Sequence, residues 1–273
     1  MSHLRSALTA LVVAALAGPA LAASNLSFET GKLTGWDVYG HAQAVDDSLG
    51  VNPTHGKYQA KILSSIPSDP PSPGLLPEDL ASATGIDIEV INEWAAYPEG
   101  FLEPFTPDML PVHGSAIAQH VSLGAGAWIS FDYHFLTNEG GPSQNHNDFS
   151  FAALLGPDGG LVDGFVLANT WDTEVDGAAS TPYAGLLPPP GYRSAQLFAG
   201  GLSGTHRLVF GVMDAHKDGE EASGESVLLI DNVHVVPLPA AVWPGLALLG
   251  AIIVPAAWRR RRSAATHRAA PLR

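Results

Sequence analysis

The chain of 273 residues contains no cysteine, so neither a disulfide nor thiolate chemistry is open to it. Basic side chains are also scarce where the bulk of the chain lies. Between Ala23 and Val236, 27 acidic residues face only 6 basic ones (Lys32, Lys57, Lys61, Arg193, Arg207 and Lys217), a net charge of −21. Such a field repels nucleic acid and anionic membrane surfaces and leaves divalent cations and neutral polymers as partners. Catalytic signatures are missing as well. There is no G-x-S-x-G and no H-E-x-x-H, and Gly56-Lys57 has Val51 where a phosphate loop carries its first glycine. The sequence therefore reads as non-catalytic. A glycosidase pair among the 27 carboxylates stays open as the weaker alternative, because no motif selects one.

Uncharged apolar runs mark both ends. Arg5 precedes Ala7–Ala17, and Ala20-Leu21-Ala22 has the A-x-A form of a cleavage site, so residues 1–22 read as a signal peptide. Near the other end, Ala241–Trp258 is 18 residues without charge, followed by Arg259, Arg260, Arg261 and Arg262. As a helix it measures about 27 Å at ~1.5 Å per residue, enough to cross a bilayer core. The arginines then stay cytoplasmic with the tail 263–273, and everything upstream lies outside.

The intervening stretch is rich in turn formers, and its apolar residues alternate in short runs, which predicts an all-β, jelly-roll-like sandwich over 23–235. The clearest strand is Trp128–Phe135, with Ile129, Phe131, Tyr133 and Phe135 on one side. Phe149–Leu155 is expected to pair with it, and His206–Met213 with Val227–Val235. The proline-rich stretch Ser64–Pro77 breaks the rhythm. Glu78–Thr84 closed by Gly85, and a second helix capped by Asp87 and running through Trp94, predict a small helical insertion over about 64–112.

Val236-Pro237-Leu238-Pro239-Ala240, the apolar span and the arginine cluster together resemble the PEP-CTERM sorting signal in its Val-Pro-Leu-Pro-Ala form. Leu238 replaces the usual glutamate, and the tail beyond the arginines is longer than usual. The resemblance implies a signal over 236–262, an exosortase-type processing enzyme as partner, brief residence in the inner membrane, and delivery to a cell surface or matrix rich in exopolysaccharide. Asn25-Leu26-Ser27-Phe28-Glu29 with Thr34-Gly35-Trp36 is similar to the opening of carbohydrate-binding-module-like jelly rolls, and Leu229-Ile230-Asp231-Asn232-Val233 to their closing strand.

In jelly rolls of that kind the first and last strands are neighbours, which makes Glu29 and Asp231 candidate ligands of a structural Ca²⁺. Asp231 bonded only to a nearby turn is the alternative. Asp172–Gly177 opens like a calcium loop, but its twelfth position is Tyr183 instead of a glutamate. Sugar rings stack on open aromatic faces, so Trp94, Trp171 and Tyr183 are candidate glycan contacts, with Tyr97 and Tyr192 beside them. Trp36 is expected in the core against Phe28. The reading favoured at this stage is a non-catalytic surface or matrix protein associated with exopolysaccharide, and the alternative is a binding module for a defined glycan.

Overall fold

The computed structural model describes residues 25–47, 50–66, 72–96, 109–137, 146–170, 191–217 and 225–237. The signal peptide, the sorting segment, Tyr97, Trp171, Tyr183 and the Asp172–Gly177 stretch fall outside them.

Two five-stranded antiparallel sheets face each other. In chain order the strands are β1 (Asp37–Tyr39), β2 (His41–Val45), β3 (Gln59–Leu63), β4 (Ser65–Ile66), β5 (Ser72–Pro73), β6 (Met109–Leu123), β7 (Trp128–Thr137), β8 (Phe149–Leu155), β9 (Leu161–Asn169), β10 (Arg193–Phe198), β11 (Gly204–Lys217) and β12 (Ser226–Val236). Helices α1 (Pro77–Thr84) and α2 (Ile88–Ala95) interrupt the series. Sheet A runs β1-β6-β11-β8-β9, sheet B runs β10-β7-β12-β3-β2, and β4-β5 form a small ribbon. The fold is thus an all-β, jelly-roll-like sandwich.

Strand alternation sets the core. Ile129, Phe131, Tyr133 and Phe135 all turn inward from β7, as the sequence pattern predicts, and meet Ile117, Phe210 and Val212 from sheet A. Phe131 and Phe210 pack edge to face at 4.8 Å, and Trp36 bridges Phe210 to Phe28 at 5.9 and 5.3 Å. Each fully buried side chain of this size contributes about 1.5–3 kcal/mol of burial.

Three expected pairings are corrected. Phe149–Leu155 (β8) pairs with β11 and β9, and β7 lies in the opposite sheet between β10 and β12. Likewise β11 and β12 occupy different sheets. The Asn25–Glu29 segment forms turns instead of a first strand, touching β12 through Ser27 Oγ to Val233 O, and β12 pairs with β7 and β3. Hairpin closure between consecutive strands is the simplest guess from sequence. A sandwich core, buried from both sides, instead favours connections that pass from sheet to sheet.

The insertion covers the outer face of sheet A. Pro77 starts α1, and Gly85 ends it at φ 83°, its N–H bonding Ala81 O at 2.8 Å. Asp87 caps α2 by accepting from Glu89 N–H at 3.0 Å. At eight residues each, neither helix is stable alone. Leu80, Ile86, Ile91 and Ala95 hold them by packing on Ala116, Ala118, Phe149, Phe151 and Met213. The close fit depends on Gly211, where a Cβ would stand 2.3 Å from the Phe151 ring.

Candidate functional site

The outer face of sheet B is covered in part by Thr54 and His55 over Asp231, and by Val51 and Tyr192, which pack on a buried cluster of Leu63, Leu136, Val227 and Leu229. Its polar part is made by Ser130, Asp132, His134, His234, Ser194, Gln196 and Lys61, which alternate with the core residues of β7, β12, β10 and β3.

At its centre, Asp132 and Asp231 are direct partners across β7 and β12. Asp132 accepts from Ser194 Oγ at 2.6 Å, Thr54 Oγ1 at 2.8 Å and Asn232 Nδ2 at 3.0 Å. Burial pushes its acidity down, but these donors outweigh burial and hold its pKa below the usual carboxylate value. Asp231 is fully buried, and that desolvation raises its pKa despite N–H bonds from His55 (2.8 Å) and Asn232 (2.6 Å). Asn232 sits at φ 52°, which lets its backbone N–H fold back onto the preceding carboxylate.

Glu29 grips the same segment of chain as Asp231. Its carboxylate accepts from Lys57 N–H at 2.9 Å and Tyr58 N–H at 3.4 Å, in the turn from Thr54 to Tyr58. Gly56 makes room for it: at φ 66°, a Cβ there would fall 2.1 Å from the carboxylate oxygen. The two sequence-selected carboxylates therefore converge on one turn, each bound to backbone N–H groups. Carboxylate oxygens suit calcium in kind, but here both oxygens of each group already accept from N–H or hydroxyl donors. Among the described residues no three His, Asp or Glu side chains converge in a metal-binding group.

Toward β2 and β3 the face opens into a groove of about 410 Å³, lined by Gly40, His41, Ala42, Gln43, Lys61, Leu63 and Ile66. Gln43 is exposed, and Ile66 covers one side with 39% of its surface open. His41 is held by Pro73 O at 3.0 Å from its Nε2. Half-burial lowers the pKa of Lys61, and the nearby Glu225 carboxylate opposes that shift.

Between groove and carboxylate pair, Tyr192 donates to Gln59 Oε1, and its ring meets His134 edge-on at 5.7 Å. Burial, then the charges of Asp231 and Asp132, raise the Tyr192 pKa, so the phenol stays a neutral donor. Burial and then Arg193 lower His134 to about 4, so its ring is neutral.

Of the aromatics selected from sequence, Trp94 packs half-buried on Phe151 beneath α2, at 5.1 Å between centroids. Its ring is engaged in holding the insertion. Sequence reasoning missed His41, Gln43 and Lys61. The alternation His41-Ala42-Gln43-Ala44 and Gln59-Ala60-Lys61-Ile62 carried a signal of strand pairing, but nothing in it marks a groove.

No protein-family model and no curated protein sequence matches the chain. Among solved structures it is similar to a carbohydrate-binding module of family 61 in complex with β-1,4-galactotriose, at 12% identity over 78% of this chain and 96% of that one, with a TM-score of 0.40. It is similar to a family 28 module specific for non-crystalline cellulose at 13% identity, 78% and 94% coverage and a TM-score of 0.33. A family 27 module that recognises mannan matches at 15% identity, 74% and 88% coverage and a TM-score of 0.32. Likenesses this distant say nothing of a ligand for the present chain.

Proposed function

We propose that the protein is an exported, non-catalytic glycan-binding protein whose contact surface is the groove on the outer face of sheet B. The groove itself carries this reading. Its volume of about 410 Å³ falls in the range of small-ligand sites, ~300–1,000 Å³. His41, Gln43 and Lys61 offer hydrogen bonds to hydroxyl groups, while the exposed Ile66 offers aliphatic surface to the apolar face of a sugar ring. The net charge of −21 favours a neutral polysaccharide over an acidic one.

Absence of catalysis is supported by the state of the facing carboxylates. Asp132 and Asp231 are the pair brought together on this face, yet Asp231 is fully buried beneath Thr54 and His55. A glycosidic oxygen cannot approach it, so this pair is not placed for the two-carboxylate mechanism.

The export half of the proposal rests on residues 1–22, the Val236–Ala240 motif, the apolar stretch Ala241–Trp258 and Arg259–Arg262. Processing by an exosortase-type enzyme and association with exopolysaccharide belong to it. Calcium held by Glu29 and Asp231 is a further part, as a staple between the N-terminal segment and β12.

Titrating the purified chain with neutral oligosaccharides tests the binding. Wild type should bind and Gln43→Ala should weaken binding about tenfold, the loss of roughly one good hydrogen bond. Equal affinity for wild type, Gln43→Ala and Lys61→Met would remove the groove from the account.

A further inference from the structure

The sandwich has two unlike ends. At one, β6 joins β7 through 124–127, β8 joins β9 through 156–160, and β10 joins β11 through 199–203, beside the longer β2–β3 connection 46–58. At the other, the longer connections 138–148, 170–192 and 218–225 depart from Thr137, Asn169 and Lys217. The short-turn end is also where β12 leaves the sandwich, at Val236.

Exposed apolar side chains gather at that end. Of the eight large ones open to solvent among the described residues, Trp128, Leu161, Phe198 and Leu202 lie there, each 36–46% exposed. Trp128 pairs in register with Phe198 on one side and Val236 on the other, and the two rings stack at 4.4 Å. The turns that carry them are bonded to each other, through Ala199 N–H to Ala127 O (2.9 Å) and Gly126 N–H to Gly200 O (2.7 Å). Leu202 Cδ1 lies 3.4 Å from the place a Cβ on Gly156 would take, so the third turn adjoins the same surface. Trp128 and Phe198 face out from sheet B, Leu161 faces out from sheet A beside α1 and α2, and Leu202 lies on a turn of the same end, so exposed apolar side chains frame this end and mark a contact surface.

Chain length indicates what covers it. Pro237–Ala240, four residues spanning at most about 14 Å at ~3.3–3.6 Å each, separate Val236 from the uncharged Ala241–Trp258. We propose that this end of the sandwich rests on the bilayer that receives Ala241–Trp258, with Trp128, Phe198, Leu161 and Leu202 in its headgroup region. Tryptophan is the residue type favoured at that depth, with an apolar body and one N–H to direct outward. A tether this short keeps the patch at high effective concentration near lipid, so a small apolar area suffices. The patch is apolar instead of basic, which lets a domain of charge −21 dock without relying on anionic lipid. Docking would fix the Val236–Ala240 motif at the membrane surface for processing. The groove points away, since His41 and Leu63 align with Val227 at the opposite end of β12.

This inference rests on the membrane-spanning reading of the C-terminal stretch, and one experiment separates the two. Because the chain has no cysteine, single nitroxide labels can be placed by Leu202→Cys, Leu161→Cys, Leu110→Cys and Ala247→Cys in the full chain, reconstituted in phosphatidylcholine vesicles. Collision rates with oxygen and with a water-soluble nickel chelate report depth. Labels at Leu202 and Leu161 should show an oxygen-to-nickel ratio several-fold above that at Leu110 and approach that at Ala247. Water-like ratios at Leu202 and Leu161 alongside a lipid-like Ala247 site would overturn the docking surface alone. Shielding of both from either reagent would mean that protein covers the patch, and would overturn it too. A water-like Ala247 site would sink the membrane-spanning reading and the docking surface with it.

Discussion

Asp132 and Asp231 face each other across β7 and β12, and the Thr54 hydroxyl stands 2.8 Å from one carboxylate and 3.2 Å from the other. A hydroxyl carries one proton, so it can donate to only one of them at a time. Burial raises Asp231 while the donors around Asp132 lower it, so the pair loses its protons in two separate steps, Asp132 first.

Removing the shared hydroxyl should cost stability. Thr54→Val is expected to destabilise the chain by about 1–3 kcal/mol in urea unfolding, since it removes the one donor that a half-buried and a fully buried carboxylate share. Adding Asp231→Asn to that variant should restore part of the loss by removing one charge. A Thr54→Val variant as stable as wild type would show that the hydroxyl contributes nothing there.

His134 gives the fold a defined acid limit. Its pKa falls from 6.5 to about 4 on folding, through burial and then Arg193. Between those values the unfolded chain binds a proton that the folded chain does not. Stability from this residue is therefore full above the unfolded value and is lost as pH falls through the window, by about 3 kcal/mol in all. Melting midpoints taken across that range should decline in wild type and decline less in His134→Gln. Parallel curves for the two proteins would contradict the assignment.

Much of the fold was legible because its signals are local. Ile129, Phe131, Tyr133 and Phe135 announce a half-buried strand by period, and Asp87 and Gly85 announce helix ends by their side-chain and backbone chemistry. Strand partners were not legible. β8 and β11 are apolar on both faces because the helices cover sheet A from outside, and a continuous apolar run carries no register. The groove was hidden for a related reason. His41, Gln43 and Lys61 come together only through the β2–β3 pairing, and each alone looks like an ordinary surface residue.

The seating of the insertion depends on one missing side chain. Gly211→Val should lower stability by about 1–3 kcal/mol, because the new branch meets the Phe151 ring and forces α2 and Trp94 outward. Trp94 fluorescence shifted to the red would accompany the loss. Unchanged stability and emission would mean that the helices do not depend on this contact.

Calcium is tested at the turn gripped by Glu29 and Asp231. If the ion binds only the folded form, excess over Kd by a hundredfold should stabilise by about 2.7 kcal/mol, and chelator should lower the melting midpoint. Asp231→Ala and Glu29→Gln should both lose the response. A wild-type midpoint indifferent to chelator would leave the N–H bonds at Lys57, Tyr58 and His55 as the whole role of these carboxylates.

The central claim is that a neutral glycan occupies the groove on sheet B, and backbone amide shifts on adding fragments of the host's own exopolysaccharide test it most directly. Shifts should be saturable and concentrated at Gly40–Gln43, Lys61–Leu63 and Ile66, with little movement around Trp94 and Phe151. No saturable shift, or a set centred on α1 and α2 instead of the groove, would contradict the account.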